Sequence, residues 1–159
     1  MANRTGAKWN KGGQLSRKKF LSLDYSAFDE YIERLRAVEA DVEKVVADAM
    51  EKAAEKVQED TIKALDKSHL PAKGAFSHGN TAASVARDIK PKVSRHFVEV
   101  NLGFDKTKPG AGGFLITGTP KMQPDRALVN IYGSKRYQRD ITNQIAKDLD
   151  KAIKERMEN

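Results

Sequence analysis

Cysteine is missing from all 159 residues. Disulfide bridges, thiolate catalysis and cysteine-based zinc sites are therefore excluded, although a chain without thiols tolerates any redox compartment. Long apolar runs are missing too: none approaches the roughly 18 residues that a membrane-spanning helix needs. The opening "MANRTGAKWNKGGQLSRKKF" lacks the apolar stretch of a signal peptide, so the chain is expected to be made and to work in water. Aromatic residues are scarce at 7%, with a single tryptophan, Trp9. Histidine is nearly absent. Its three copies are His69, His78 and His96, and none stands at the close helical spacing of paired metal ligands. No Gly-x-Ser-x-Gly elbow marks an activated nucleophile. The carboxylates alternate with lysines at helical pair spacing, which describes solvated faces better than acid/base dyads. No catalytic, cofactor-binding or metal-binding residue is assigned, and the chain is read as a non-enzyme.

What is present is charge, at 32% of residues, and its placement is uneven. Arg4, Lys8, Lys11, Arg17, Lys18 and Lys19 fall within the first 23 residues, with no acid among them. The other 136 residues hold 23 basic and 22 acidic side chains, so nearly all of the net +7 sits at one end of the sequence. The chain reads as a flexible basic arm over residues 1–22, bearing Trp9, followed by one domain over 23–159. Such an arm gains sequence-independent affinity for phosphates by releasing counterions. It suits an acidic protein surface equally well. A small nucleic-acid-binding protein acting through its arm thus stands as an alternative function.

Within the domain, Ser26 and Asp29 have capping-box spacing, and Phe28, Ile32 and Leu35 follow at helical intervals. A longer stripe runs through Val38, Val42, Val45, Val46, Ala49, Ala53, Val57, Thr61 and Leu65. It either continues the first helix or is broken near residues 39–41. Pro71, Gly74 and Gly79 then punctuate a loop. Ser84–Val93 is a weak strand candidate, and His96–Phe104 a better one because Val98, Val100, Leu102 and Phe104 alternate with smaller or polar residues. Asp105–Gly113, "DKTKPGAGG", reads as a mobile loop or hairpin tip containing Lys106 and Lys108. Phe114–Thr117 and Ala127–Tyr132 are short apolar segments, placed among several strands. Tyr137, Ile141, Ile145, Leu149 and Ile153 mark a closing helix. The expected fold is α+β: a long amino-terminal amphipathic helix and a carboxy-terminal helix packed on a small, mostly antiparallel sheet.

Between the apolar segments lies "GTPKMQP", Gly118–Pro124. Gly113 and Gly118 are spaced like the glycines of a phosphate-binding loop, but Thr119 and Pro120 separate Gly118 from Lys121, and Pro120 has no N–H to offer. The segment reads instead as a turn, with Gly118 at its bend, Pro120 and Pro124 as stiffeners and Met122 as an adaptable apolar contact.

Taken with the helix "VEADVEKVVADAMEKAAEKVQEDTIKAL", the "GNTAASVARDI" element, the strands and the terminal helix, this turn resembles a known pattern. It is similar to the tail-completion and head–tail joining proteins of long-tailed bacteriophages, the lambdoid gene-product-ten-like minor tail family. The likeness follows the order of elements over residues 26–157. The chain departs from the family at Ile116–Thr117, where an acidic residue often precedes the turn, at Ala127–Leu128, and in its long basic arm. The resemblance implies a virion protein made in the host bacterial cytoplasm. It would assemble as a ring, hexameric in the particle, where the tail tube meets the head, against neighbouring neck and tail-tube proteins. The assembly contacts would come from Arg4, Lys8, Trp9, Lys11, Arg17, Lys18, Lys19, Lys106, Lys108, Gly118, Thr119, Lys121, Met122 and Pro124. The arm would touch DNA non-specifically or clasp an acidic neighbouring ring. No cofactor and no membrane are implied.

Overall fold

The computed structural model describes residues 7–9, 21–24, 28–38, 41–87, 89–94, 97–105 and 107–158. Its longest element is a helix at Val42–Asp66, which follows a shorter one at Asp29–Ala37. We call these α2 and α1. The break between them is real. Val38 turns its N–H back to the Arg36 carbonyl, and α2 starts afresh at Asp41, whose carboxylate accepts from the Lys44 N–H at 3.2 Å. The capping-box expectation for α1 does not hold at Asp29, which lies inside the first turn. Phe28 occupies the cap without a side-chain bond, and Ser26 is outside the described residues.

With 25 residues, α2 is about 37 Å long. Val46, Ala49, Met50, Ala53, Ala54, Val57, Thr61, Ala64 and Leu65 are buried at intervals of mostly three and four, so the apolar stripe read from the sequence is a core-facing surface. The small alanines let other elements come close. The last helix, α6 at Lys135–Met157, buries Ile141, Ile145, Leu149 and Ile153 and is capped by the Ser134 hydroxyl. It runs antiparallel to α2. The Tyr137 hydroxyl reaches Asp60 at 2.8 Å near one end, while Asp148 and Glu155 share a groove with Asp41 and Lys44 at the other. Arg34 of α1 meets Asp150 of α6 at 3.1 Å, a half-exposed pair that orients α1 more than it stabilises it.

The sheet has four strands: β1 (Ala7–Trp9), β2 (Leu21–Asp24), β3 (Lys92–Ser94) and β4 (Phe97–Val100). Their order is β1-β2-β4-β3, antiparallel throughout, with Leu21 opposite Val100 and Leu23 opposite Val98. Buried Val98 and Val100 place β4 in the same core as α2, and Leu102 and Phe104 continue that apolar lining beyond the strand. The molecule is thus an α+β protein, with long helices and an antiparallel sheet sharing one core.

Several sequence expectations are corrected. The arm is not flexible over all of residues 1–22, because Ala7–Trp9 and Leu21–Asp24 are paired strands. "LSLD" has the two-residue alternation of a strand and finds an open edge on β4, a long-range partner that local pattern cannot reveal. Ser84–Val93 is not one strand. It contains the end of a short helix, an isolated bridge from Val85 to Phe104, and only the first part of β3. The segments after the glycine-rich loop are helices: α4 at Gly112–Thr117 and α5 at Arg126–Gly133. Asp125 caps α5 by accepting from the Leu128 N–H at 3.0 Å. Leu128, Ile131 and Tyr132 then turn inward at helical spacing. Pro124 delays the helix by two residues and so sets its start.

Two buried hydroxyls, those of Thr61 and Tyr132, meet in the core. Thr61 Oγ1 donates to the Val57 carbonyl and stands 2.8 Å from the Tyr132 hydroxyl, linking α2 to α5. Burial pushes the Tyr132 phenol up to about 12, opposed in part by the Thr61 hydroxyl. Tyr137, partly buried and bonded to Asp60, is also pushed above the ordinary phenol range, by burial first and then by that carboxylate. A folded-state value above the unfolded one gives stability that is complete below the unfolded pKa and lost as pH rises. Unfolding free energy is therefore expected to fall between pH 10 and about 12, by about 1.4 kcal/mol for each pKa unit of the Tyr132 shift. Urea titrations across that range check this, and Tyr132→Phe is expected to flatten the decline.

Close packing at α4 yields a second expectation. A Cβ on Gly112 would fall on the Phe104 ring, which is itself buried beside Tyr132. Gly112→Ala is expected to cost about 1–3 kcal/mol by overpacking, read as a lower urea midpoint with an unchanged slope.

Candidate assembly surface

The "GTPKMQP" segment forms a closed turn between α4 and α5. Gly118 ends α4 at φ 74°, its N–H bonded to the Phe114 carbonyl. Thr119 and Met122 exchange backbone bonds of 2.8 and 3.1 Å, with Pro120 at the second position that β-turns favour. The Lys121 N–H donates to Thr119 Oγ1, and the Asp125 N–H donates to the Leu115 carbonyl at 2.6 Å. Every backbone donor from Gly118 to Met122 is thus used on α4 or within the turn or, at Pro120, does not exist. An anion has no cradle of amides here, so the phosphate-loop reading fails on hydrogen bonding as well as on spacing.

This turn brings five of the expected contact residues together. Thr119, Lys121 and Pro124 are exposed, Gly118 is half-buried, and Met122 packs partly against the core. Met122 is therefore a supporting residue as much as a surface one. Lys108 is exposed, in the loop before α4. Lys8 and Trp9 lie in β1, across the sheet from β4. Arg4, Lys11, Arg17, Lys18, Lys19 and Lys106 lie outside the described residues.

The loop at Asp105–Gly113 is not a hairpin tip. It is anchored at both ends on a short helix, α3 at His78–Ala83. The Asp105 N–H donates to the Ser84 carbonyl at 2.6 Å, and the Ala111 N–H donates to Thr81 Oγ1 at 2.9 Å. Thr81 and Ser84 are buried polar residues, and these bonds give their burial a purpose. The preceding loop reaches the same helix: Ser77 caps it, and Asn80 donates to the Gly74 carbonyl. Both loops therefore meet around α3.

Their meeting brings out a feature that the sequence did not single out. Phe76, 53% exposed, and Phe114, 44% exposed, stand edge to face with ring centroids 5.5 Å apart. One comes from a loop and the other from the outer side of α4, so no single periodicity joins them. The available signal was α4 itself: once Leu115 and Ile116 face inward, Phe114 faces out. Lys73 and Lys108 are exposed in the same two loops. At the far end of the molecule, Met157 is 69% exposed on the last turn of α6.

An open groove of about 360 Å³ lies between the start of α2 and the end of α6. Asp41, Asp48, Asp148 and Glu155 face Lys44, Lys52 and Arg156 along it, the mixed charge of a solvated helix–helix furrow. His78 is 3.4 Å from Asp66 as a surface pair, and among the described residues no group of three potential metal ligands occurs. Among those residues no helix is long and apolar enough to cross a membrane. No family model, curated protein or solved structure matches the chain.

The turn itself can be tested. A Cβ on Gly118 would meet Pro124 Cδ at 2.9 Å and the Met122 carbonyl at 3.0 Å, in a left-handed backbone conformation. Gly118→Val is expected to destabilise by more than about 1 kcal/mol, seen as a lower thermal midpoint, because both the backbone and the space oppose it.

Proposed function

We propose that the chain is a structural protein of a tailed bacteriophage, completing the tail or joining it to the head as a ring at the neck. The observation that carries this reading is the order of parts. A charged amphipathic helix is followed by antiparallel strands, a compact Gly-Thr-Pro-Lys-Met turn between two short helices, and a terminal helix laid back along the first. Helix, strands, Gly-Thr turn and terminal helix make up the succession on which the resemblance rests. The two short helices and the strands β1 and β2 ahead of α1 are additional to it. The exposed Phe76 and Phe114 give the reading a surface suited to protein contact, since interface cores favour aromatic residues with a charged rim.

The basic arm keeps its place in the proposal with a changed form. Its strand β1 and the start of β2 belong to the sheet, while Lys11, Arg17, Lys18 and Lys19 lie outside the described residues. Deleting residues 1–22 would remove β1 and part of β2 and confuse assembly with folding. Replacing Arg17, Lys18 and Lys19 with Gln tests the charge alone.

Light scattering over a concentration series near physiological salt, with electron microscopy of the same samples, is expected to show closed rings. A monomer at every concentration would remove spontaneous ring formation from the account. The Gln variant is expected to keep the thermal midpoint of the parent and to lower the yield of joined particles. A full yield would make the arm's charge dispensable.

A further inference from the structure

Leaving aside the described residues of 89–104, which hold Lys90, Lys92 and Glu99, the charges on the helical body are unevenly shared along its length. The end made of residues 28–54 and 146–158 holds eleven carboxylates and eight cations among the described residues, a balance of −3. The end made of 55–87, 105 and 107–145 holds seven carboxylates and eleven cations, a balance of +4. Antiparallel packing of α2 and α6 puts these groups at opposite ends of a helix about 37 Å long.

Each end also exposes apolar side chains. Phe76 and Phe114 mark the positive end, with Lys73 and Lys108 exposed in the loops that carry them. Met157 marks the negative end, between Arg156 and Glu158 on the helical turn that borders the groove. Three cations, Lys44, Lys52 and Arg156, line that groove as well, so its negative balance is small. A methionine thioether makes favourable contacts at aromatic ring edges. One chain cannot bring its own two ends together, because α2 holds them apart. Contact between two positive ends is opposed by like charge.

We propose that copies of this chain join end to end, Met157 of one copy seating against the Phe76–Phe114 pair of the next, with unlike charge around the contact. The contact is heterologous, the kind that closes into a ring when the rotation between copies allows it. It supplies the joining surface for the ring reading above and rests on that reading.

The absence of native cysteine makes the test clean. Ala75→Cys and Glu158→Cys are exposed replacements beside the contact that leave Phe76, Phe114 and Met157 in place. Under mild oxidation, a mixture of the two single variants is expected to give a disulfide-linked dimer. Each variant alone is expected to stay largely uncrosslinked, and the double variant to give a ladder of higher species. Disulfide formation needs Cα atoms within about 7 Å, so random collision contributes little. Lys73→Glu combined with Lys108→Glu is expected to lower the crosslinked yield several-fold at low salt.

Crosslinking of Ala75→Cys with itself would show a two-fold contact and overturn the proposal. So would the absence of crosslinks in the mixture. If unmodified protein forms rings while the mixture stays uncrosslinked, the copies join elsewhere, and the ring reading outlives this one. Crosslinks in protein whose mass grows without closing would keep the contact and sink the ring.

Discussion

One helix face holds this protein together. The Val- and Ala-rich side of α2 is covered by β4, α5 and α6, and the buried residues of those elements form one cluster around it. Small side chains at Ala49, Ala53 and Ala54 are essential to this arrangement, since they let backbones approach where larger residues would hold them apart. The remaining elements are placed by what they must cover. β4 brings Val98 and Val100, α5 brings Leu128 and Ile131, and α6 brings its four aliphatic residues at every fourth position. The polar side of α2 is left to Lys–Glu and Lys–Asp pairs such as Lys63–Glu59 and Lys56–Asp60, which keep it in water.

A second organising point is α3, only six residues long. Its own burial is slight, but Thr81 and the adjoining Ser84 hold the end of one loop and the start of α4 through buried hydrogen bonds. Glycine completes the fit. Gly110 lies where a Cβ would press on Ser84 and Thr81, and Gly112 lies flat on Phe104. The glycine-rich run that looks like slack in the sequence is therefore a packed seam. The fixed pairing of Phe76 with Phe114 follows from it, because both loops end on the same short helix.

How much of this was legible in advance depended on distance along the chain. The stripe of α2 and the Ile141–Ile153 series of α6 repeat over several turns, so both helices could be read from periodicity alone. Polar caps at Asp41 and Ser134 fixed their starts only once the structure was seen. β4 was anticipated by its alternation, but β1 and β2 were not, because three- and four-residue strands gain their order from partners far away in sequence. In the sequence α4 and α5 look like apolar segments among strands, since with six and eight residues neither offers much more than two turns of pattern. Of the expected contact residues, the turn from Gly118 to Pro124 was recognised as a turn, although Met122 proved half-inward. The aromatic pair and the isolated Met157 were invisible as a set, for their meaning lies in which end of the body each occupies.

The bond from the Asp125 N–H to the Leu115 carbonyl has a mechanical side. It clasps α4 to the residue that caps the next helix, with the four-residue turn locked between them by its own bonds. The two short helices are therefore bonded directly to each other and not only through the turn. Phe114 is thus joined through Leu115 and Asp125 to α5, and α5 through Tyr132 and Thr61 to the last two turns of α2. An unbroken run of chain and hydrogen bonds ties the exposed aromatic end to buried groups of the core.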